Sequence, residues 1–259
     1  MSWYYLLLTI KKQKTQSIML DIENKTVAEL VTENYKTADI FKRNGIDFCC
    51  GGKVSVKSIC KKKKINYNKI KSELEAIGQA ADRSQNFKKW DIEQLVDYIV
   101  IKHHGYASEN IPIISQYADK VVKVHGRANP EVIQINYLFR IISDELNRHM
   151  SKEENQLFPY IKNLGQVELE QIPFDALHFG SVRNPIDKME QEHESIGNYG
   201  LKIAELSNDY TPPENACNTY RVLYAKLKEF EEDLHRHIHL ENNILFPRAI
   251  ELEQKFIHR

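Results

Sequence analysis

Four long stretches in the second half of the chain repeat apolar residues at spacings of three and four, the signature of one buried helix face. The first stripe runs Val96, Val100, His104, Ala107, Ile111, Ile114, Ala118 and Val121. The second runs Ile135, Leu138, Ile142, Leu146, His149, Glu153 and Leu157. Ile186, Met189, His193, Ile196, Gly200 and Ile203 make the third, and Leu223, Leu227, Phe230, Leu234, His237, Glu241 and Ile244 the fourth. Each stripe carries one histidine, and the second and fourth add a glutamate. Such faces pack against one another as an up-down-up-down four-helix bundle, here over residues 91–254.

Start signals support the same division. Asp91 with Gln94 opens the first helix, Asn129-Pro130-Glu131 the second and Asn184-Pro185 the third, with a short helix at residues 174–181 before it. Thr211-Pro212-Pro213-Glu214 has the spacing of a capping box and predicts the start of the fourth. Upstream, short helical patterns fill residues 26–34, 36–44, 55–64 and 67–77, and Gly45 is placed to end the second of these in a left-handed conformation. Residues 20–77 therefore read as a small helical domain, and the polar stretch 78–90 as a linker. No strand alternation is present, so the fold class is all-α.

Composition narrows the function. The 259 residues carry 36 basic and 36 acidic side chains, a net charge of zero that offers no electrostatic case for nucleic acid or a membrane surface. The apolar run at residues 3–10 is too short to span a bilayer, and its lysines follow it, whereas a signal peptide is charged ahead of its apolar run. Residues 1–19 read as an extension, with Met19 an alternative start, and a cytoplasmic location is expected. Four cysteines, two of them adjacent, are not a secreted disulfide framework.

The chemistry lies in a repeat. His149-x3-Glu153-x4-Phe158-Pro159 returns 88 residues later as His237-x3-Glu241-x4-Phe246-Pro247. Residues four apart on a helix share a face, so each copy aims an imidazole and a carboxylate the same way. Four core histidines and two core glutamates carry several kcal/mol of desolvation cost unless cations satisfy them. The ligand count suits two ions, with His104 and His193 completing the imidazole pairs and Glu153 and Glu241 bridging. Nitrogen and oxygen ligation with open positions favours iron over structural zinc, although ligand type alone leaves zinc and manganese open. His235 and His239 lie half a helical turn from the ligand stripe and are expected on the surface; His103 is ambiguous. His125, His178 and His258 have no partner pattern.

Residues 91–250 resemble a hemerythrin-like bundle, and the tandem His-x3-Glu motifs with Leu-Phe-Pro resemble the RIC (repair of iron centres) family. Asp47-Phe48-Cys49-Cys50-Gly51-Gly52 is similar to that family's N-terminal cysteine domain. The resemblance implies His104, His149, Glu153, His193, His237 and Glu241 as ligands of two non-haem irons, bridged by oxo and carboxylate groups. It implies repair of iron–sulfur clusters damaged by nitrosative or oxidative stress, by supplying iron, with damaged iron–sulfur proteins as clients. A nitric-oxide-binding and reducing di-iron enzyme, and a sensor of oxygen or iron, are the alternatives; a homodimer is compatible with all three. Where the family often has a second histidine three residues after the first ligand, this chain has Ala107.

Two further groups are functional candidates. Glu145 and Glu192 match acidic residues near the family's iron site. Such residues fix imidazole tautomers or pass protons and iron, the alternative being plain surface charge. Cys49 and Cys50 suit a soft metal or a nitrosyl or persulfide adduct beside Gly51-Gly52, whose backbone allows close approach, the alternative being two small buried hydrophobes. Cys60 and Cys217 have no such context and are expected to be structural.

Overall fold

The computed structural model describes residues 22, 24–78, 87–169 and 180–257. The extension at 1–19, most of the linker, residues 174–179 of the helix expected at 174–181, His178 and His258 lie outside them. The chain divides into two compact units, Met1–Lys89 and Trp90–Arg259.

In the first unit, α1 (Val27–Glu33), α2 (Thr37–Arg43), α3 (Val56–Lys63) and α4 (Tyr67–Gly78) surround Val27, Phe41, Val56 and Ile70, all fully buried. Thr26 caps α1 through a reciprocal box with Glu29, and the Ser55 hydroxyl accepts from Ser58 N to cap α3. These two caps lie side by side: Val27 N donates to Val54 O and Val56 N to Lys25 O. Gly45 ends α2 at φ 62°, as its sequence position predicts.

The second unit is the bundle. Its first helix comprises α5 (Ile92–Ile99), a π-helical turn (Val100–His104) and α6 (Gly105–His125). Its second comprises α7 (Glu131–Lys152), a π turn (Glu153–Leu157) and α8 (Phe158–Glu168). The third is α9 (Arg183–Leu206), and the fourth is α10 (Asn218–Leu240), a π turn (Glu241–Leu245) and α11 (Phe246–Ile257). Helix α6 packs on α7 and α10, and α7 on α9. Beyond the π turns, α5 and α11 both pack on α8 and close that end of the bundle.

The π turns have a local cause in two of the three cases. Proline lacks an N–H and its ring presses on the carbonyl four residues back. At Pro159 and Pro247 the chain answers with a wider turn, in which Phe158 N donates to Glu153 O and Phe246 N to Glu241 O, five residues back. In the first helix Gly105 N reaches Val100 O in the same way. That extra residue shifts the buried face: Ile99 is fully buried and Val100 only half, reversing the order that a spacing of four predicts.

The fourth helix starts at Asn218 after a Cys217 cap, not at the box-like Thr211–Glu214. Asn208, Asp209 and Tyr210 hold φ of 49°, 51° and 57°, one left-handed turn that sends the chain off α9. Prolines 212 and 213 then force their predecessors towards extended backbone and delay the helix.

Glu253 on α11 is buried and accepts from Tyr160 Oη (2.9 Å), Ser181 Oγ (2.7 Å) and Val182 N (2.8 Å), tying α8 and the start of α9 to α11. Glu253→Ala leaves three donors unpaired and is expected to destabilise the bundle by at least about 3 kcal/mol, against about 1–2 kcal/mol for Glu253→Gln, which keeps an acceptor oxygen. Urea unfolding followed by circular dichroism measures both.

Candidate metal centre

Six side chains from four helices meet where the π turns begin or end. His104 closes the first π turn, Glu153 and Glu241 open the other two, and His149 and His237 lie one α-turn ahead of those glutamates. His193 comes from the middle of α9. None of the six is more than 2% exposed, and both glutamates are completely enclosed.

They form two overlapping groups, His104, Glu153, His237, Glu241 and His149, Glu153, His193, Glu241, whose donor atoms lie within 4.8 Å of one another in each. His104 Nε2 and His237 Nε2 are 3.1 Å apart, and His149 Nε2 and His193 Nε2 are 2.9 Å apart. Two nitrogens each about 2.1 Å from one ion, at right angles, stand about 3.0 Å from each other. Glu241 bridges the groups, with Oε1 2.9 Å from His237 Nε2 and Oε2 3.1 Å from His193 Nε2. Glu153 Oε2 lies 3.2 Å from His149 Nε2 and 3.5 Å from His104 Nε2. Both Glu153 oxygens and Glu241 Oε2 are buried without a hydrogen bond. Buried carboxylate oxygens in that position fit a metal ion in each group.

The electrostatics point the same way. Burial disfavours charge on His104 and His149, but Glu153 with Glu241 around the first, and Glu153 with Glu192 around the second, outweigh it and raise both imidazoles to about 10. Burial also opposes the charge on Glu153 and Glu241, yet the surrounding histidines hold both below the usual carboxylate range. His237 is pushed down by burial. The pocket thus has two carboxylates that require nearby positive charge. Protons on imidazoles or divalent ions supply it.

Outer hydrogen bonds fix three of the four rings. His104 Nδ1 donates to Glu154 Oε1 (2.7 Å), His149 Nδ1 to Glu192 Oε2 (3.0 Å) and His193 Nδ1 to Asn242 Oδ1 (2.8 Å). Glu192 is held at about 2 by its bond to His149 and by Lys152. Glu192 therefore stands behind an imidazole of the six, that of His149 and not of the adjacent His193. Glu145 does not: it is half-buried, and no hydrogen bond among the described residues joins it to an imidazole of the six. Glu154 and Asn242 were missed. The signal was in the repeat, where each directly follows the glutamate of its copy and reaches the histidine of a neighbouring helix.

Of the two histidines expected on the surface one, His239, is buried, and so is the ambiguous His103. His239 is 1% exposed and its Nδ1 lies 3.2 Å from Asn243 Nδ2, because residues 237–241 are enclosed on every side. The rotation from the ligand stripe is as expected; solvent does not follow from it. His103 is 3% exposed, donates from Nδ1 to Asp233 and stacks parallel to His237. His235 is half-buried. In the first unit Cys49 is buried and Cys50 half-buried, with Asp47 beside them. Cys60 is buried, while Cys217 is exposed, 3.1 Å from His125 Nε2.

Hydrogen bonds behind a ligating imidazole typically matter 10–100-fold in metal affinity. Asn242→Ala and Glu154→Ala are each expected to weaken metal retention by about that factor with the bundle still folded. Competition against a chromophoric chelator, with circular dichroism alongside, measures it.

Comparison with known proteins agrees with this geometry. Residues 95–249 match the hemerythrin HHE cation binding domain, and residues 23–78 match ScdA_N, described as a domain of unknown function. A protein of Staphylococcus haemolyticus named iron-sulfur cluster repair protein ScdA is 34% identical over 222 residues, 86% of this chain and 96% of its own length. One of Yersinia pestis named iron-sulfur cluster repair protein YtfE is 32% identical over 232 residues, 89% of this chain and 99% of its own. The chain belongs to the hemerythrin HHE family, in the two-domain form in which an ScdA_N domain precedes the bundle.

Proposed function

We propose that this protein is a di-iron protein that repairs damaged iron–sulfur clusters by supplying iron. The observation that carries the reading is the pair of overlapping four-residue groups that share both buried glutamates. His104 and His237 would hold one iron, His149 and His193 the other, with Glu153 and Glu241 bridging. The names of the relatives support the repair role, and damaged iron–sulfur proteins would be the clients. When bound, the two irons would supply the labile metal that a broken cluster lacks.

The chain's own residues support delivery as well as storage. Four imidazoles and two carboxylates make a site without thiolates, whereas iron–sulfur clusters are typically held by thiolates. Glu192 and Glu154, bonded to two of the imidazoles, have side chains 25% and 43% exposed. Each offers a carboxylate that joins the buried site to solvent, where iron and protons could be handed on.

Two experiments test the reading. Iron-loaded protein is expected to carry about two irons per chain by the two-metal logic. His237→Ala is expected to lose much of that iron, while His235→Ala keeps it and His239→Ala keeps it at a cost in stability. A single zinc per chain after expression in ample iron would end the di-iron assignment. In the second, an iron–sulfur enzyme damaged by nitric oxide is incubated with the loaded protein without oxygen. Repair by donation requires regained activity with matching loss of iron from this protein; turnover of nitric oxide with iron retained would instead make it a reductase.

A further inference from the structure

The cysteine pair belongs to the first unit, and its two thiols occupy different environments. Asp47 organises the loop: its Oδ1 accepts from Cys49 N (2.9 Å) and Cys50 N (3.0 Å), and its Oδ2 from Gly51 N (2.8 Å). The same Oδ1 accepts from the Cys49 thiol at 3.2 Å. Behind the loop, Ala28 N donates to Gly52 O (2.9 Å), and a Cβ on Gly52 would stand 2.3 Å from Phe48 O. The backbone is therefore fixed at close quarters, and only glycine fits there. Cys49 is 5% exposed, whereas Cys50 is half-buried with access from solvent.

We propose that Cys50 is the nucleophile of this domain towards soft electrophiles, and that Cys49 remains a thiol that positions it and cannot displace what it acquires. Asp47 is the positioning residue that enforces the difference. A carboxylate accepting the Cys49 S–H opposes its loss of a proton, as does burial. The bond between the two thiols and burial both hold Cys49 well above the ordinary thiol range. Cys50 is left as the sulfur able to meet an incoming partner.

Adjacency limits the chemistry open to the pair. Neighbouring Cα atoms lie about 3.8 Å apart across a trans peptide, short of the usual 4.4–6.8 Å of a disulfide. In an ordinary dithiol the second sulfur attacks the adduct and closes a ring. Here that closure is strained, and the second sulfur is buried and protonated. With a disulfide RSSR as electrophile, the Cys50 thiolate forms one S–S bond and breaks another, giving Cys50–S–SR and releasing RS⁻. The reaction stops there. The pair therefore acts as a carrier of one soft group, not as a two-electron redox switch. This inference is independent of the iron reading, since it concerns thiols in the other unit.

The test uses the full chain and two probes. Limiting iodoacetamide, with site-resolved peptide mass spectrometry, is expected to label Cys50 at least tenfold faster than Cys49. Excess glutathione disulfide is expected to leave one glutathione on Cys50 that persists for hours, with Cys49 still alkylatable after denaturation. Asp47→Asn keeps an acceptor for the turn but removes the carboxylate, so labelling of Cys49 should rise relative to Cys50. Circular dichroism checks that this variant is folded, and Cys49→Ser should retain the stable glutathione adduct on Cys50. Preferred or equal labelling of Cys49 in the unmodified chain would overturn the proposal. So would rapid loss of the bound glutathione with appearance of a Cys49–Cys50 disulfide. Unchanged selectivity in folded Asp47→Asn would remove Asp47 from it.

Discussion

Two carboxylates, Glu153 and Glu241, sit in the middle of a helical bundle with no access to water. An ion taken out of water costs several kcal/mol even after relaxation, so this pair is tolerable only beside compensating positive charge. The surrounding architecture answers that demand. One histidine from each helix faces the pair, and three of these rings are held from behind by Glu154, Glu192 and Asn242. Removing a carboxylate and removing the positive charge are therefore different injuries. The first leaves imidazoles with nothing to face; the second leaves buried negative charge.

The π turns connect that chemistry to the sequence. Each copy of the repeat ends in Phe-Pro, and the proline accounts for a wider turn directly after the glutamate. The widening lets two consecutive residues serve two purposes: Glu153 enters the site while Glu154 reaches His104, and Glu241 enters while Asn242 reaches His193. The phenylalanines then pack on imidazoles of the site, Phe158 beside His104 and Phe246 parallel to His193. A motif whose conspicuous members are histidine and glutamate thus depends on its least conspicuous one.

What could be read from the sequence was whatever a single helix period fixes. The stripes carrying His149, His193 and His237 needed only spacings of three and four, and the repeat added the glutamates. What could not be read depended on a second element. The burial of His103 requires Asp233 from another helix, and that of His239 an enclosure on all sides of residues 237–241. Val100 and Ile99 exchanged places because a π turn breaks the period within one helix. Thr211–Glu214 looked like a helix start because a capping box is a local pattern, while the left-handed turn at residues 208–210 that redirects the chain carries no glycine to announce it.

The turn at residues 153–157 also limits how the chain can change in length. Helix α8 is continuous with α7, so a residue lost or gained there rotates everything after it by about 100°. Ile161 and Leu164, now buried, would swing away from the core, and Tyr160 would leave Glu253. Glu153 itself lies before the change and would stay in place. Drift in length among such bundles should accordingly collect in the connections between helices. The spacing from each histidine to its proline should be the part of the chain that insertions avoid.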